Sequence, residues 1–258
     1  AAPFKSNAVR STRLRSVFLT ENDMPSTSLL RETALLDYSA PPIAALLERR
    51  GWHALGTEDR IRAAYEFVRD DIAFGYNTAD DLPASGVLAD GYGQCNTKGT
   101  LFMALLRALG VPCRVHGFAI DKRLQRGAVT GLFYLLAPRQ LLHSWVEVEL
   151  NGRWLNLEGF ILDRPYLSAL QARFGCGGDF CGYGVATDNF RAPPVEWTGS
   201  DTYIQHKGIV RDFGVFDDPD AFYRRHGTNL SGWKRWLFER LVRHTMNRNV
   251  ARIRDGST

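Results

Sequence analysis

Helices come first and strands after, with a hairpin closing the strand series, so the sequence predicts a fold of mixed helix and strand. Three observations carry this. Residues 43–50 and 57–69 place apolar side chains at helical spacing, among them Ile61, Ala64, Tyr65 and Val68. Residues 96–109 are apolar on most sides (Leu101, Phe102, Leu105, Leu106, Ala108, Leu109), as in a buried helix. Residues 114–120, 132–136, 143–150 and 153–157 are rich in β-branched and aromatic residues and read as strands. At 258 residues the chain exceeds one ordinary domain and falls short of two, so one domain with extensions is expected.

Taken in order, residues 1–25 are polar and basic, with Arg10, Arg13 and Arg15 among Ser, Thr and Asn, and read as a flexible arm. Ala40-Pro41-Pro42 stops an extended stretch, and Thr57-Glu58-Asp59 resembles a helix cap with acidic residues in the first turn. Residues 72–77 read as a short extended segment. Gly110 and Pro112 end the buried helix. Asn151-Gly152 is a strong signal for a two-residue hairpin turn. Beyond Asp163 the chain turns irregular, with a glycine-rich flap over 175–184, and helical spacing returns over 231–254 with Trp233, Trp236, Leu237, Leu241 and Met246 on one side.

Composition bounds the function loosely. Hydrophobic residues make up 45% and charged residues 23%, as in an ordinary globular protein. The net charge of +4, from 32 basic and 28 acidic residues, is too balanced to imply a nucleic acid partner. No apolar run reaches the roughly 18 residues of a membrane span. The start lacks the basic and apolar regions of a signal peptide, and four cysteines do not make a disulfide framework, so a soluble cytoplasmic protein is expected.

The chemistry centres on Cys95. It follows Gly91-Tyr92-Gly93-Gln94 and opens the buried helix, where unpaired N–H groups and the positive helix end favour a thiolate and offer an oxyanion site. A cysteine packed as a small apolar residue is the commoner case; the flanking glycines favour function here. A two-residue turn at 151–152 pairs Leu150 with Arg153 and Trp145 with Glu158. Alternation then puts His143, Trp145, Glu147, Trp154, Asn156 and Glu158 on one face and Val146, Val148, Leu150, Leu155 and Leu157 on the other. Glu158 is the diagonal neighbour of His143, about 7–8 Å away by backbone, whereas Glu147 is too distant. A carboxylate on one imidazole nitrogen fixes the tautomer and leaves the other to act on the thiol.

Gly93-Gln94-Cys95, the segment 106–114 that ends the helix, His143-Ser144-Trp145-Val146-Glu147-Val148 and Trp154-Leu155-Asn156-Leu157-Glu158 together resemble the transglutaminase-like superfamily from about residue 64 to 158. Two positions depart from the pattern: Asn96 stands where eukaryotic transglutaminases have tryptophan, and Glu158 where the family usually has aspartate. The resemblance implies an α+β papain-like core, here placed over 26–165, with the nucleophile helix packed on an antiparallel sheet. It implies Cys95, His143 and Glu158 as catalytic residues, a thioester-type intermediate, and no metal or organic cofactor. Tyr76 or Gln94 is expected to supply a second oxyanion donor, and Trp145 to border the substrate.

The expected function is a cysteine peptidase or amidase acting on a peptide, protein or small amide. The alternatives are an amide-forming acyltransferase, marked by a dry acceptor pocket, and a non-catalytic interaction module. Residues 166–258 are expected to pack on the core as an extension. In its last helix the apolar side would be docked, leaving Lys234, Arg235, Arg240, Arg243, Arg248, Arg252 and Arg254 solvated. Cys113, Cys176 and Cys181 are read as free thiols rather than a metal site.

Overall fold

A computed structural model describes residues 27–129, 131–175, 177–230 and 232–256. The expected arm over 1–25, Cys176, Ser231 and the side chain of Lys234 lie outside them.

The N-terminal part is helical: α1 (Pro41–Arg50), α2 (Thr57–Glu66), α3 (Ala84–Asp90) and α4 (Cys95–Ala108). Gly56, not Thr57, is the cap of α2, and Glu58 and Asp59 occupy its first turn as expected. A π-turn over Phe67–Asp71 follows α2. The extended segment at 72–77 shrinks to β1 (Ala73–Phe74), which pairs in parallel with β2 (Tyr92–Gly93). That pairing delivers the chain to the start of α4.

The main sheet has four antiparallel strands in the order β5 (Arg153–Leu157), β4 (Gln140–Leu150), β3 (Cys113–Asp121), β8 (Ile209–Phe216). The hairpin has the expected register, with Leu150 opposite Arg153 and Val146 opposite Leu157. Asn151 (φ 54°) and Gly152 (φ 73°) both adopt the left-handed conformation that a type I′ turn needs. Cys113, Val115, Val146, Val148, Leu155 and Leu157 are buried and form the apolar face against α4. Beneath that helix, Tyr65, Phe102 and Phe160 pack ring against ring at 5.0–6.1 Å.

Four further expectations change. Residues 132–136, expected as a strand, lie in the short helix α5 (Gly131–Leu136). A run of five apolar residues does not distinguish helix from strand by period, and both edges of β3 are already taken by β4 and β8. The flap over 175–184 leads into a hairpin, β6 (Phe180–Gly182) with β7 (Val185–Thr187), after helix α6 (Arg164–Phe174). Carbonyls of Arg126 and Leu124 anchor its turn by accepting from the Tyr183 and Gly184 amides.

The remaining two changes concern the C-terminal segment. After α7 (Pro219–His226) it is not one regular helix but α8 (Gly232–Leu237), a π-turn over Phe238–Val242, and α9 (Arg243–Arg254). The wider turn rotates the residues after it relative to those before. Trp233, Trp236 and Leu241 are therefore 72%, 60% and 57% exposed, while Met246, Val250 and Ile253 are buried. Nor is the basic side wholly solvated. Arg254 pairs with Asp163 at 2.8 Å, Arg235 with Glu239 at 2.9 Å, and Arg243 donates to the Tyr92 hydroxyl. Among the described residues no helix is long and apolar enough to cross a membrane.

Gly93 matters at the junction of β2 and α4. A Cβ there would sit 2.7 Å from Thr97 Oγ1 and 3.0 Å from Lys98 Cγ. Gly93→Ala is expected to cost about 1–3 kcal/mol of stability through overpacking, measured by urea unfolding; an unchanged midpoint would show that these neighbours give way freely.

Candidate active site

Cys95 is the first residue of α4, with Gln94 at the cap in extended conformation. The turn is fastened by Thr97, whose hydroxyl accepts from the Gln94 amide (3.1 Å) and donates to Asn77 Oδ1 (2.5 Å). Asn77 in turn donates to Asp90 and to the Tyr92 carbonyl. The start of the helix is thus held from three sides, and its first N–H groups point away from the helix body.

Asn96 joins this helix start to the sheet. Its Nδ2 donates to the Leu142 carbonyl (3.2 Å), and its Oδ1 accepts from the Ser144 hydroxyl (3.0 Å). Leu142 and Ser144 flank His143, so the residue after Cys95 is bonded to both neighbours of the histidine. Asp80 extends the network, taking Asn96 and Gln94 on one oxygen and the Asn229 amide and side chain on the other. Asn229 also accepts from the Leu142 amide at 2.6 Å.

His143 and Glu158 are both fully buried. Nε2 of His143 lies 2.7 Å from Glu158 Oε1, across the diagonal that the hairpin register defines. The other carboxylate oxygen accepts from three successive amides, Ile204, Gln205 and His206, at 2.8–3.1 Å. Burial alone would raise the Glu158 pKa, but the His143 contact and the Gln205 and Ile204 amides outweigh it and hold it below the usual range. Glu147 is engaged elsewhere, with Arg114 at 2.6 Å and His116 at 2.7 Å.

Nδ1 of His143 is buried and has no hydrogen-bond partner among the described residues that meets ordinary geometry. Burial would depress the imidazole pKa. The charge and hydrogen bonding of Cys95, followed by Glu158, more than reverse this and push it up to about 10. The imidazole is thereby biased toward its protonated form, between the Glu158 carboxylate and the Cys95 sulfur. Tyr76 is buried beside the same cysteine, and its hydroxyl has no hydrogen-bond partner among the described residues. Burial and then the Cys95 charge push its pKa above the ordinary tyrosine value.

These elements bring Cys95, His143, Glu158 and Tyr76 together. Gln94 is adjacent but occupied, since its Oε1 accepts from the Asn77 amide (2.9 Å) and its Nε2, the donor an oxyanion would need, donates to Asp80 (3.4 Å). Trp145 does not line the cavity onto which Cys95 opens. It packs on the outer sheet face against Phe118 (4.2 Å) and Tyr203 (5.7 Å). Sequence reasoning missed Asn96, Asp80, Asn229 and the 204–206 amides, whose loop carries no motif. Asn96 alone left a trace, as a polar residue where tryptophan is usual. Cys113 is buried, its thiol pushed up to about 11 by desolvation. Cys181 is exposed, and the described cysteines are free. Among the described residues no group of His, Cys, Asp and Glu is arranged to hold a metal.

Glu158→Gln tests the electrostatic arrangement. If the amide oxygen keeps the three backbone donors, its NH2 faces His143 and forces Nε2 to accept, which places the ring proton on Nδ1 toward Cys95. Alkylation of Cys95 at pH 7 is then expected to fall by roughly 10-fold or more with the circular dichroism spectrum retained. An unchanged rate would show that the carboxylate does not govern the cysteine.

A crystal structure described as "a Putative Cysteine Protease from Cytophaga hutchinsonii" aligns with a TM-score of 0.43 at 11% identity, over 77% of this chain and 50% of that one. This chain thus spans about half the length of that structure, and the likeness is too distant to inform the site. No curated protein matches by sequence. Residues 49–159, from the end of α1 to just past Glu158, match the family model of the transglutaminase-like superfamily.

Proposed function

We propose that this protein is a thiol-dependent enzyme that cleaves an amide or related acyl bond, with Cys95 as nucleophile, His143 as its proton partner and Glu158 as the residue that orients and charges the imidazole. The observation that carries this reading is the state of His143. It is fully buried, bonded to a carboxylate at 2.7 Å through one nitrogen, and left with the other nitrogen for the thiol at a helix start. A purely structural histidine in a core has no need of an adjacent cysteine that raises its pKa.

The chemistry follows from these positions. The Cys95 sulfur attacks the carbonyl carbon, and the developing oxyanion is received by the Cys95 N–H together with the Tyr76 hydroxyl, which has no competing partner among the described residues. The imidazolium gives its proton to the leaving nitrogen as the C–N bond breaks, leaving a thioester on Cys95. Water, activated by the now neutral His143, then releases the acid. Gln94 is the weaker oxyanion candidate because its side chain is engaged.

A second reading keeps the thioester but resolves it with an amine. Support comes from the largely apolar walls of the cavity that Cys95 faces, which limit the water around an acyl-enzyme. Product analysis with and without an added primary amine separates the two, because transfer gives a new amide and hydrolysis gives only the acid.

The decisive test of the nucleophile is iodoacetamide alkylation at pH 7, located by peptide mass spectrometry. Cys95 is expected to react roughly 10-fold or more faster than the exposed Cys181, and to lose that advantage in His143→Ala. Equal rates at the two cysteines, or insensitivity to His143, would contradict the assignment and leave the non-catalytic reading.

A further inference from the structure

The cavity in front of Cys95 has a volume of about 540 Å³, within the range of small-molecule sites. The transglutaminase-like core supplies Phe74, Tyr76, Leu141 and Leu142, and the C-terminal segment closes it with Phe238 and Met246, among other apolar residues. Among the described residues only two lining side chains are charged, and both are already engaged. Both Asp80 oxygens accept amide donors, and Arg235 pairs with Glu239 at 2.9 Å and with Asp81 at 3.5 Å. Nothing on these walls would neutralise a charged substrate side chain. The backbone pairing that fixes an extended peptide is also unavailable at Leu237, Phe238, Val242 and Met246, whose amides and carbonyls lie inside helices and π-turn, and the Asn229 amide is taken by Asp80.

We propose that this cavity is an acyl pocket that selects substrates whose acyl group is a long apolar chain, rather than an extended polypeptide. The proposal rests on Cys95 as the nucleophile and adds the class of group it receives. The C-terminal segment supplies the specificity. It covers the core through Met246, Val250 and Ile253 and is bonded to it at Asp163, Tyr92 and Tyr76, so the pocket is a built part of the molecule rather than a transient groove.

The test uses p-nitrophenyl esters from acetate to decanoate. The Cys95 sulfur bonds to the carbonyl carbon, the C–O bond breaks, and p-nitrophenolate leaves with the electron pair. Water later releases the acid from the thioester. Both the p-nitrophenolate burst and the mass of the acyl adduct report the first step. The rate of Cys95 acylation relative to acetate is expected to rise by roughly fourfold per added methylene until the pocket is filled, from about 0.8 kcal/mol per buried CH2. Val242→Trp, which places bulk in the pocket wall, is expected to reduce the decanoate-to-acetate ratio by roughly 10-fold or more.

A flat or falling chain-length profile in the wild type, with iodoacetamide still alkylating Cys95 rapidly, would overturn the acyl pocket and leave the nucleophile standing. Absence of both acylation and rapid alkylation would overturn the nucleophile itself and the pocket proposal with it. The wild-type profile decides the matter even if Val242→Trp fails to fold.

Discussion

A carboxylate with no water around it is tolerable only when its charge is met from several directions, and Glu158 is in that position. It is fully buried, yet it stays ionised because one oxygen faces His143 and the other takes three consecutive amides from 204–206. Much of the molecule follows from keeping this group in place. The hairpin register sets the diagonal to His143. Thr202 secures the Glu158 and Gly159 amides. The long connection from β7 to β8 must return across the sheet to present its N–H groups.

The thiol is positioned by a second, separate network. Asn96 holds the residues on both sides of His143, and Asp80 ties Asn96 to Asn229 in the C-terminal part of the chain. The residues beyond the matched family segment are therefore coupled to the site as well as lying over it. They brace the strand that carries the histidine and wall the cavity that the cysteine faces. Lys98, one turn further along α4, is fully buried with its amine on the Arg69 carbonyl, and burial lowers its pKa to about 7. That buried amine belongs to the packing of α4 against the π-turn after α2.

The parts of this arrangement that were legible in the sequence are those with a local signature. Asn151-Gly152 fixed the turn, the turn fixed the register, and alternation then placed His143 and Glu158 on one face. Glycines before Cys95 marked a tight entry into a buried helix, and Gly93 meets Thr97 and Lys98 closely enough to explain the need. What was not legible depends on contacts between distant segments. Neither the 204–206 amide cradle nor Asn229 has a pattern of its own. The C-terminal helix was misread because helical spacing assumes a constant turn, and the π-turn at 238–242 breaks that phase, turning Trp236 and Leu241 outward. Residues 132–136 fold as helix rather than the expected strand because a short apolar run serves either structure.

The central claim is that His143 is held as an imidazolium between Glu158 and Cys95, and the imidazole nitrogens report it directly. Nitrogen-15 chemical shifts of His143, followed from pH 6 to 11, are predicted to show both nitrogens protonated at pH 7 with titration near 10 in the wild type. In Cys95→Ala the titration is predicted to move down, because the largest raising influence has been removed. A neutral ring at pH 7 in the wild type, or a titration unchanged by removal of the thiol, would contradict the account.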